Sequence, residues 1–268
     1  MVQNLLDRGL EETVDAVLAD VEAAMVVDPS RETIEAVVDA LEEDRDGTVD
    51  LFAREGPLRA VFEDFLVASR AADHVADGHL RIRTLPERVG NELVVTDDEL
   101  GAIVSAGGTH GLLIATDAEF VEASRRGLRE RWSEATPYSL RTPPLSAVRS
   151  GLEDTLGGET TADFDRMLAS METARGEDGV DEVTLSLLAA ARNEQLLYDV
   201  SKWGEDVGLA SKATISRTKS RLEEAGLLAT EKVPIEVGRP RLRLRLADER
   251  LREIDPDQLA SAAGSTLS

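Results

Sequence analysis

The side chains best placed for chemistry in this chain are basic ones, set at helical and strand spacing near the C-terminus. In residues 211–225, SKATISRTKSRLEEA, the candidates are Ser211, Lys212, Thr214, Ser216, Arg217, Lys219 and Arg221. A guanidinium presents a planar fork of donors, so Arg217 on such a helix can pair in bidentate fashion with a guanine edge. Thr214 and Ser216 lie beside it, while Ser211, Lys212, Lys219 and Arg221 suit phosphate oxygens, which fix position and carry no sequence information. Residues 241–246 read RLRLRL. A strand repeats every two residues, so Arg241, Arg243 and Arg245 fall on one face and Leu242, Leu244 and Leu246 on the other, toward a core. Arg239, next to Gly238 and Pro240 at the preceding turn, is placed to enter a minor groove.

These residues need a particular set of elements to hold them. The pattern predicts a helix over 181–191 with Asp181 as its cap, and a short helix over 200–207. A tight turn follows at Gly208-Leu209-Ala210, then a helix over 212–225 capped by Ser211 and ended by Gly226. Strands over 229–233 and 241–246 flank a turn at 236–240. Helix, helix, turn, helix and β-ribbon is the winged helix-turn-helix arrangement. Ile215 and Leu222, with Val207, Leu209 and Leu227, supply its core. Lys219 stands where families that this segment resembles often place leucine; its stem is expected to run along the core edge with its ammonium directed to phosphate.

Charge supports the same conclusion. The chain has 268 residues, 30 Lys+Arg against 53 Asp+Glu, and a net charge of −23. Residues 181–246 carry 11 basic and 10 acidic side chains, and residues 211–245 carry nine and four. A local reversal of sign in so acidic a chain marks a face that meets a polyanion. A basic helix is more commonly just solvated surface, and a winged helix can instead serve as an adaptor for another protein. Here the helix order, caps, ribbon and charge agree, which favours double-stranded DNA.

The first 135 residues read differently. Short apolar runs at 23–27, 49–53 and 80–85 alternate with helices at 31–41 and from Pro57 to about residue 76, the spacing of a parallel sheet. A helix is also predicted over 10–22. Runs at 92–96, 101–105 and 112–116, separated by turns that include Gly107-Gly108, predict antiparallel strands, and a helix over 117–135 closes the domain. The expected fold class is a mixed α/β sandwich followed by a winged helix. Prolines at 137, 143 and 144 mark a hinge. Helices over 145–156 and 164–173, separated by Gly157-Gly158, are expected to form a linker and to offer dimer contacts. The expected division is 1–135, a sensor or dimerisation domain; 136–180, hinge and linker helices; 181–246, the winged helix; and 247–268, an acidic tail that frays.

Little points to catalysis. The chain has no cysteine, three histidines (His74, His79 and His110) and no lysine before Lys202, so a phospholipase-D-like His-x-Lys signature is absent. No nucleophile elbow, P-loop or dinucleotide fingerprint is present. The expectation is a protein that is not an enzyme and needs no metal or cofactor. A small-molecule effector, if bound, belongs at strand ends, where Asp28, Arg54, Glu55, Arg83 and Arg88 fall and an arginine pair can hold a sugar phosphate. No run of 18 uncharged apolar residues and no signal-peptide pattern occurs, so a cytoplasmic protein without membrane contact is expected. Acidic, lysine-poor composition is that of proteins kept soluble in concentrated salt.

Taken over most of its length, with the segment GLASKATISRTKSRLEEAGLL as the most specific part, the chain resembles the haloarchaeal TbsP-like transcription regulators. The resemblance implies an archaeal homodimeric regulator of sugar and central carbon metabolism genes. Residues 92–115, with the VTDDE turn, are distantly similar to the sugar-sensing domain of TrmB-like regulators, in which the winged helix commonly lies at the N-terminus instead.

Overall fold

The computed structural model describes residues 5–19, 21–41, 47–106, 109–171, 180–234 and 240–267. The expected Gly107-Gly108 turn and the wing tip with Gly238 and Arg239 lie outside the described residues. The chain divides into two compact units, one of Met1–Glu63 with Arg70–Arg141, the other of Asp64–Ser69 with Thr142–Ser268.

The first unit is built on β1 (Leu5–Arg8), α1 (Leu10–Leu18), β2 (Ala23–Val27), α2 (Arg31–Ala40), β3 (Thr48–Ala53), α3 (Glu55–Val61), α4 (Phe65–Ala76, of which Arg70 onward belongs here), β4 (Leu80–Thr84), β5 (Glu92–Val95), β6 (Leu100–Ala106), β7 (Thr109–Ala115) and α5 (Ala118–Glu134). Its seven strands run in the order β1-β7-β6-β5-β2-β3-β4. As the alternating strand and helix runs require, β2, β3 and β4 are parallel, and β5, β6 and β7 form an antiparallel meander joined to β2. Met25, Val27, Phe52, Leu85, Val95 and Leu100 pack under Val121 and Leu128 of α5. By the period of two, Val26, Leu51, Ile82 and Val94 face the other side, where the right-handed crossovers place α2 and α3.

Two local expectations are corrected, and one strand is added. The helix expected from Pro57 to residue 76 is broken into α3 and α4, because the Asp64 carboxylate accepts the Leu66 N–H at 2.9 Å and restarts the helix. The helix expected over 10–22 ends at Leu18. Strand β1, which no periodicity announced, pairs with β7 at the sheet edge. The opposite edge, β4, is covered by backbone hydrogen bonds with Thr136 and Tyr138.

The second unit adds α6 (Leu145–Leu156), α7 (Gly158–Ala169), α8 (Glu182–Arg192), α9 (Leu197–Asp206), α10 (Lys212–Glu224), β8 (Leu228–Val233), β9 (Arg241–Leu246), α11 (Glu249–Glu253) and α12 (Pro256–Leu267). The helices expected to be a linker instead enter its core: Val148, Leu152, Phe164 and Met167 are fully buried with Leu185, Leu187 and Leu188 of α8. Helix α7 begins at Gly158, not at Phe164, since Gly157 alone at φ 87° separates it from α6. The tail does not fray. It forms α11 and α12, and Leu259, Ala260 and Ala263 join the same core.

Candidate nucleic-acid interface

Helix α10 is held by both ends and one face. The Ser211 hydroxyl accepts the Thr214 N–H at 3.1 Å, as the capping pattern requires, and Gly226 ends the helix with φ 71°. Ile215, Thr218 and Leu222 are buried, and Val207 and Leu209 pack against that core from the turn. The turn depends on close approach: a Cβ on Gly204 of α9 would lie 2.7 Å from Ile215 Cδ1. Seated in this way, α10 exposes Lys212, Ala213, Ser216, Arg217 and Arg221, a face on which the short Ala213 and Ser216 leave room for the long basic side chains to reach a groove.

The sequence candidates divide on this scaffold. Arg217 is exposed, and its side chain makes no ion pair or hydrogen bond among the described residues. Ser216 is exposed beside it, while Thr214 is half-buried and its hydroxyl lies 3.0 Å from that of Ser211. Lys212 is exposed but bonded to Glu205, which raises its pKa. Lys219 is turned away: its ammonium donates to Glu223 at 2.6 Å and its side chain is only 13% exposed. Burial alone pushes the Glu223 carboxyl up, but hydrogen bonds from Lys219 and Thr230 outweigh it and hold the group below its ordinary pKa. Arg221 reaches back to α8, where it donates to the Thr184 hydroxyl at 3.0 Å.

In the wing, β8 and β9 pair in antiparallel register from Leu228↔Leu246 to Val233↔Arg241. Leu244 and Leu246 are fully buried, and Arg241, Arg243 and Arg245 are half-buried on the other face. Leu196 bridges to Arg243, a third strand contact the sequence did not suggest. Arg241 stacks over Tyr198 at 4.3 Å and lies 3.7 Å from Asp199, while Arg245 pairs with Glu194 and Glu231. Tyr198, 53% exposed at the start of α9, was missed by the sequence reading. Its only sequence signal was an aromatic residue in a chain that is 3% aromatic. It joins α9 to the wing through Arg241, and Leu197, Tyr198, Ser201, Lys212, Arg241 and Leu242 line a groove there.

In the first unit the strand-end candidates converge only in part. Asp28, left-handed at φ 52° and buried, accepts from Arg54 Nε at 2.6 Å and from the Val89 N–H at 2.9 Å, with Arg88 4.0 Å away. Glu55 pairs instead with Arg59 one turn along α3. Arg83 leaves the group altogether. Its guanidinium donates to the carbonyls of Trp132, Ser133 and Ala135 at the C-terminal end of α5, where helix carbonyls lack intrahelical donors from a following turn, and lies over the Trp132 ring. His110 Nδ1 lies 2.9 Å from the Ser105 hydroxyl, and burial lowers the His74 pKa. Among the described residues, no three His, Asp or Glu stand together as a metal site, and no helix is long and apolar enough to cross a membrane.

Comparison with known proteins bears on both units. Among solved structures, the chain is similar to TrmBL2, an archaeal chromatin protein whose structure shows a novel mode of DNA binding (16% identity, 51% of this chain and 55% of that one, TM-score 0.38). It thus spans about half of TrmBL2. It is similar also to Nuc, a phospholipase D family member from Salmonella typhimurium (13% identity, 52% of this chain and 97% of that one, TM-score 0.37). No curated protein sequence matches the chain. Residues 2–143 match the N-terminal domain of the TbsP-like transcriptional regulators and residues 144–264 match their C-terminal HTH domain. With both domains matched in order, the chain belongs to the TbsP-like family of transcriptional regulators.

Proposed function

We propose that this regulator binds promoter operators in a sequence-specific way, as a homodimer, and that its first unit senses a metabolite, the targets being genes of sugar and central carbon metabolism. The observation that carries the DNA reading is Arg217: a guanidinium without a partner among the described residues, on the open face of a helix whose N-cap and opposite face are engaged. A guanidinium already committed to a carboxylate has that bond to lose before it can pair with a base; Arg217 does not. Ser216 flanks it, Lys212 and Arg241 supply charge to either side, and the remaining basic side chains of α10 serve to fix its seat.

The homodimer follows from the need of a small module for two half-sites. Helices α6 and α7 have their apolar faces in the core of the second unit, so they have little left to offer a second copy. Sugar metabolism rests on the resemblance stated with the sequence, and a cytoplasm of concentrated salt rests on the acidic, lysine-poor composition. The test is genome-wide occupancy of the tagged protein in its host beside an Arg217→Ala variant. Discrete promoter peaks that vanish in the variant support the reading, and the genes beneath them identify the pathway. A folded protein with no enrichment under any growth condition sinks it and leaves a protein-binding adaptor.

A further inference from the structure

A second place in the first unit has a composition its position does not explain. Among the described residues, α5 is the helix that packs on the sheet face carrying Met25, Phe52 and Val95. Seven strands at about 4.8 Å spacing are far wider than a helix about 10 Å across, so the face remains open beside α5. On β3 and β4 the positions flanking the helix on that face are filled by charge. Asp50 shares its face with Phe52, and Arg81 shares its face with Arg83. Arg81 grips Asp50 with two hydrogen bonds, at 2.6 and 2.9 Å, and the Asp50 side chain is only 15% exposed.

From above, α5 contributes Arg125, Leu128, Arg129 and Trp132, all of which line the resulting cleft of about 330 Å³. Arg125 is fixed by Asp97 and Glu122. Arg129 is exposed, and its side chain makes no ion pair or hydrogen bond among the described residues. Asp50 is covered but the Arg81 side chain stays 61% exposed, so the pair adds little to stability, and apolar residues on this half-covered sheet face would serve the fold at least as well. Charge kept there, with its geometry fixed and one guanidinium left over, is what a polar ligand site requires.

We propose that this cleft binds a small, hydroxyl-bearing organic anion, such as a phosphorylated or carboxylated sugar derivative. Arg129 takes the acid group, the Asp50 and Asp97 carboxylates accept ligand hydroxyls, and Trp132 with Leu128 and Met25 forms the apolar wall. The volume lies at the small end of metabolite pockets. The proposal rests on the sensing role proposed for the first unit, and it moves the effector from the ends of β2 and β3. There Asp28 is already spent on Arg54 and Val89.

The experiment is calorimetric titration of the full chain in molar KCl with glucose 6-phosphate, 3-phosphoglycerate and gluconate, with glucose as the neutral control. Arg129→Ala is compared with Arg126→Ala, which removes an exposed neighbour bonded to Glu122 outside the cleft. Saturable binding of at least one anion, weakened roughly ten- to hundredfold by Arg129→Ala and unchanged by Arg126→Ala, is the expected result. Equal binding by wild type and Arg129→Ala overturns the site, as does no binding of any anion or equal binding of glucose. Unchanged melting temperatures for both variants confirm that each is folded. Promoter occupancy of the wild type is read separately, so loss of ligand binding with intact occupancy fails the cleft and spares the DNA reading.

Discussion

Arg217 and Lys219 stand two residues apart on α10, and a sequence treats them as equivalent positive charges. Their surroundings separate them, because Lys219 is covered and bonded to Glu223 whereas Arg217 is open. Arg217→Ala is expected to weaken operator binding by about 1–3 kcal/mol, roughly five- to 150-fold, and to relax preference at one base pair. Lys219→Leu should leave operator affinity within about twofold, since its ammonium has no access to phosphate and its stem already lies among apolar neighbours. Anisotropy titrations with an operator taken from an occupancy peak measure both; a large loss in Lys219→Leu would show that the Glu223 pair opens on DNA. Glu182 carries a different prediction. Burial, then the nearby carboxylates Asp181 and Asp64, push its carboxyl from the ordinary 4.5 up to about 7. The folded chain therefore holds a proton that the unfolded chain releases at lower pH, so stability falls as pH rises from about 4.5 through about 7. Thermal unfolding of the second unit at fixed ionic strength should show this decline, and Glu182→Gln should flatten it. An unchanged slope in the variant would assign the decline to another group.

Elements differ in how far their causes lie along the chain, and the helix-turn-helix is the most local of them. Gly204 and Ile215 touch across the turn, so Gly204→Val pushes new carbons into a contact already at 2.7 Å for a Cβ. An overpacked core of this kind costs about 1–3 kcal/mol. Circular dichroism melts should show it, and DNA affinity should fall because α10 loses its seat. An unaltered melt would mean that Ile215 swings aside freely. The same locality explains what was legible. Caps at Asp181 and Ser211, the left-handed Gly226 and the alternation in β9 are signals within a few residues of the structure they set. Strand β1 exists because β7, about a hundred residues later, offers it an edge, and four residues reading LLDR carry no period of their own. Helix α12 looks like a small polar tail until α7 and α8 provide a surface for Leu259 and Ala263. At the ends of β2 and β3, the grouping of Asp28 with Arg54 and Arg88 is legible because strand ends are visible in a sequence. Arg83 was misplaced, and the Arg81, Arg125 and Arg129 cleft went unseen, because both depend on α5 folding back across β3 and β4.

At the scale of the molecule, the question is how a chain of net charge −23 stays folded and still meets a polyanion. Ion pairs answer part of it: Arg54, Arg81, Arg125, Arg149 and Arg245 each bind carboxylates. The 23 carboxylates in excess of all basic groups have no cation within the chain to oppose them. Their mutual repulsion acts over a Debye length of about 10 Å at 0.1 M salt and about 3 Å at 1 M, so molar salt confines it to near neighbours. The unfolded chain spaces the same charges farther apart and gains less from screening. The melting temperature should therefore rise steadily from 0.1 M into the molar range of KCl, a salt preferable here to sulfate, which strengthens apolar burial whatever the charge. Sucrose at matched water activity, which screens nothing, should give a smaller rise. The same screening removes most of the counterion release that drives ordinary DNA binding. Operator affinity in molar KCl should then depend on Arg217 more steeply than on Lys212, whose charge Glu205 already offsets. A melting temperature flat in KCl would mean that repulsion is not what limits the fold, and the acidic surface would then need a cause other than salt.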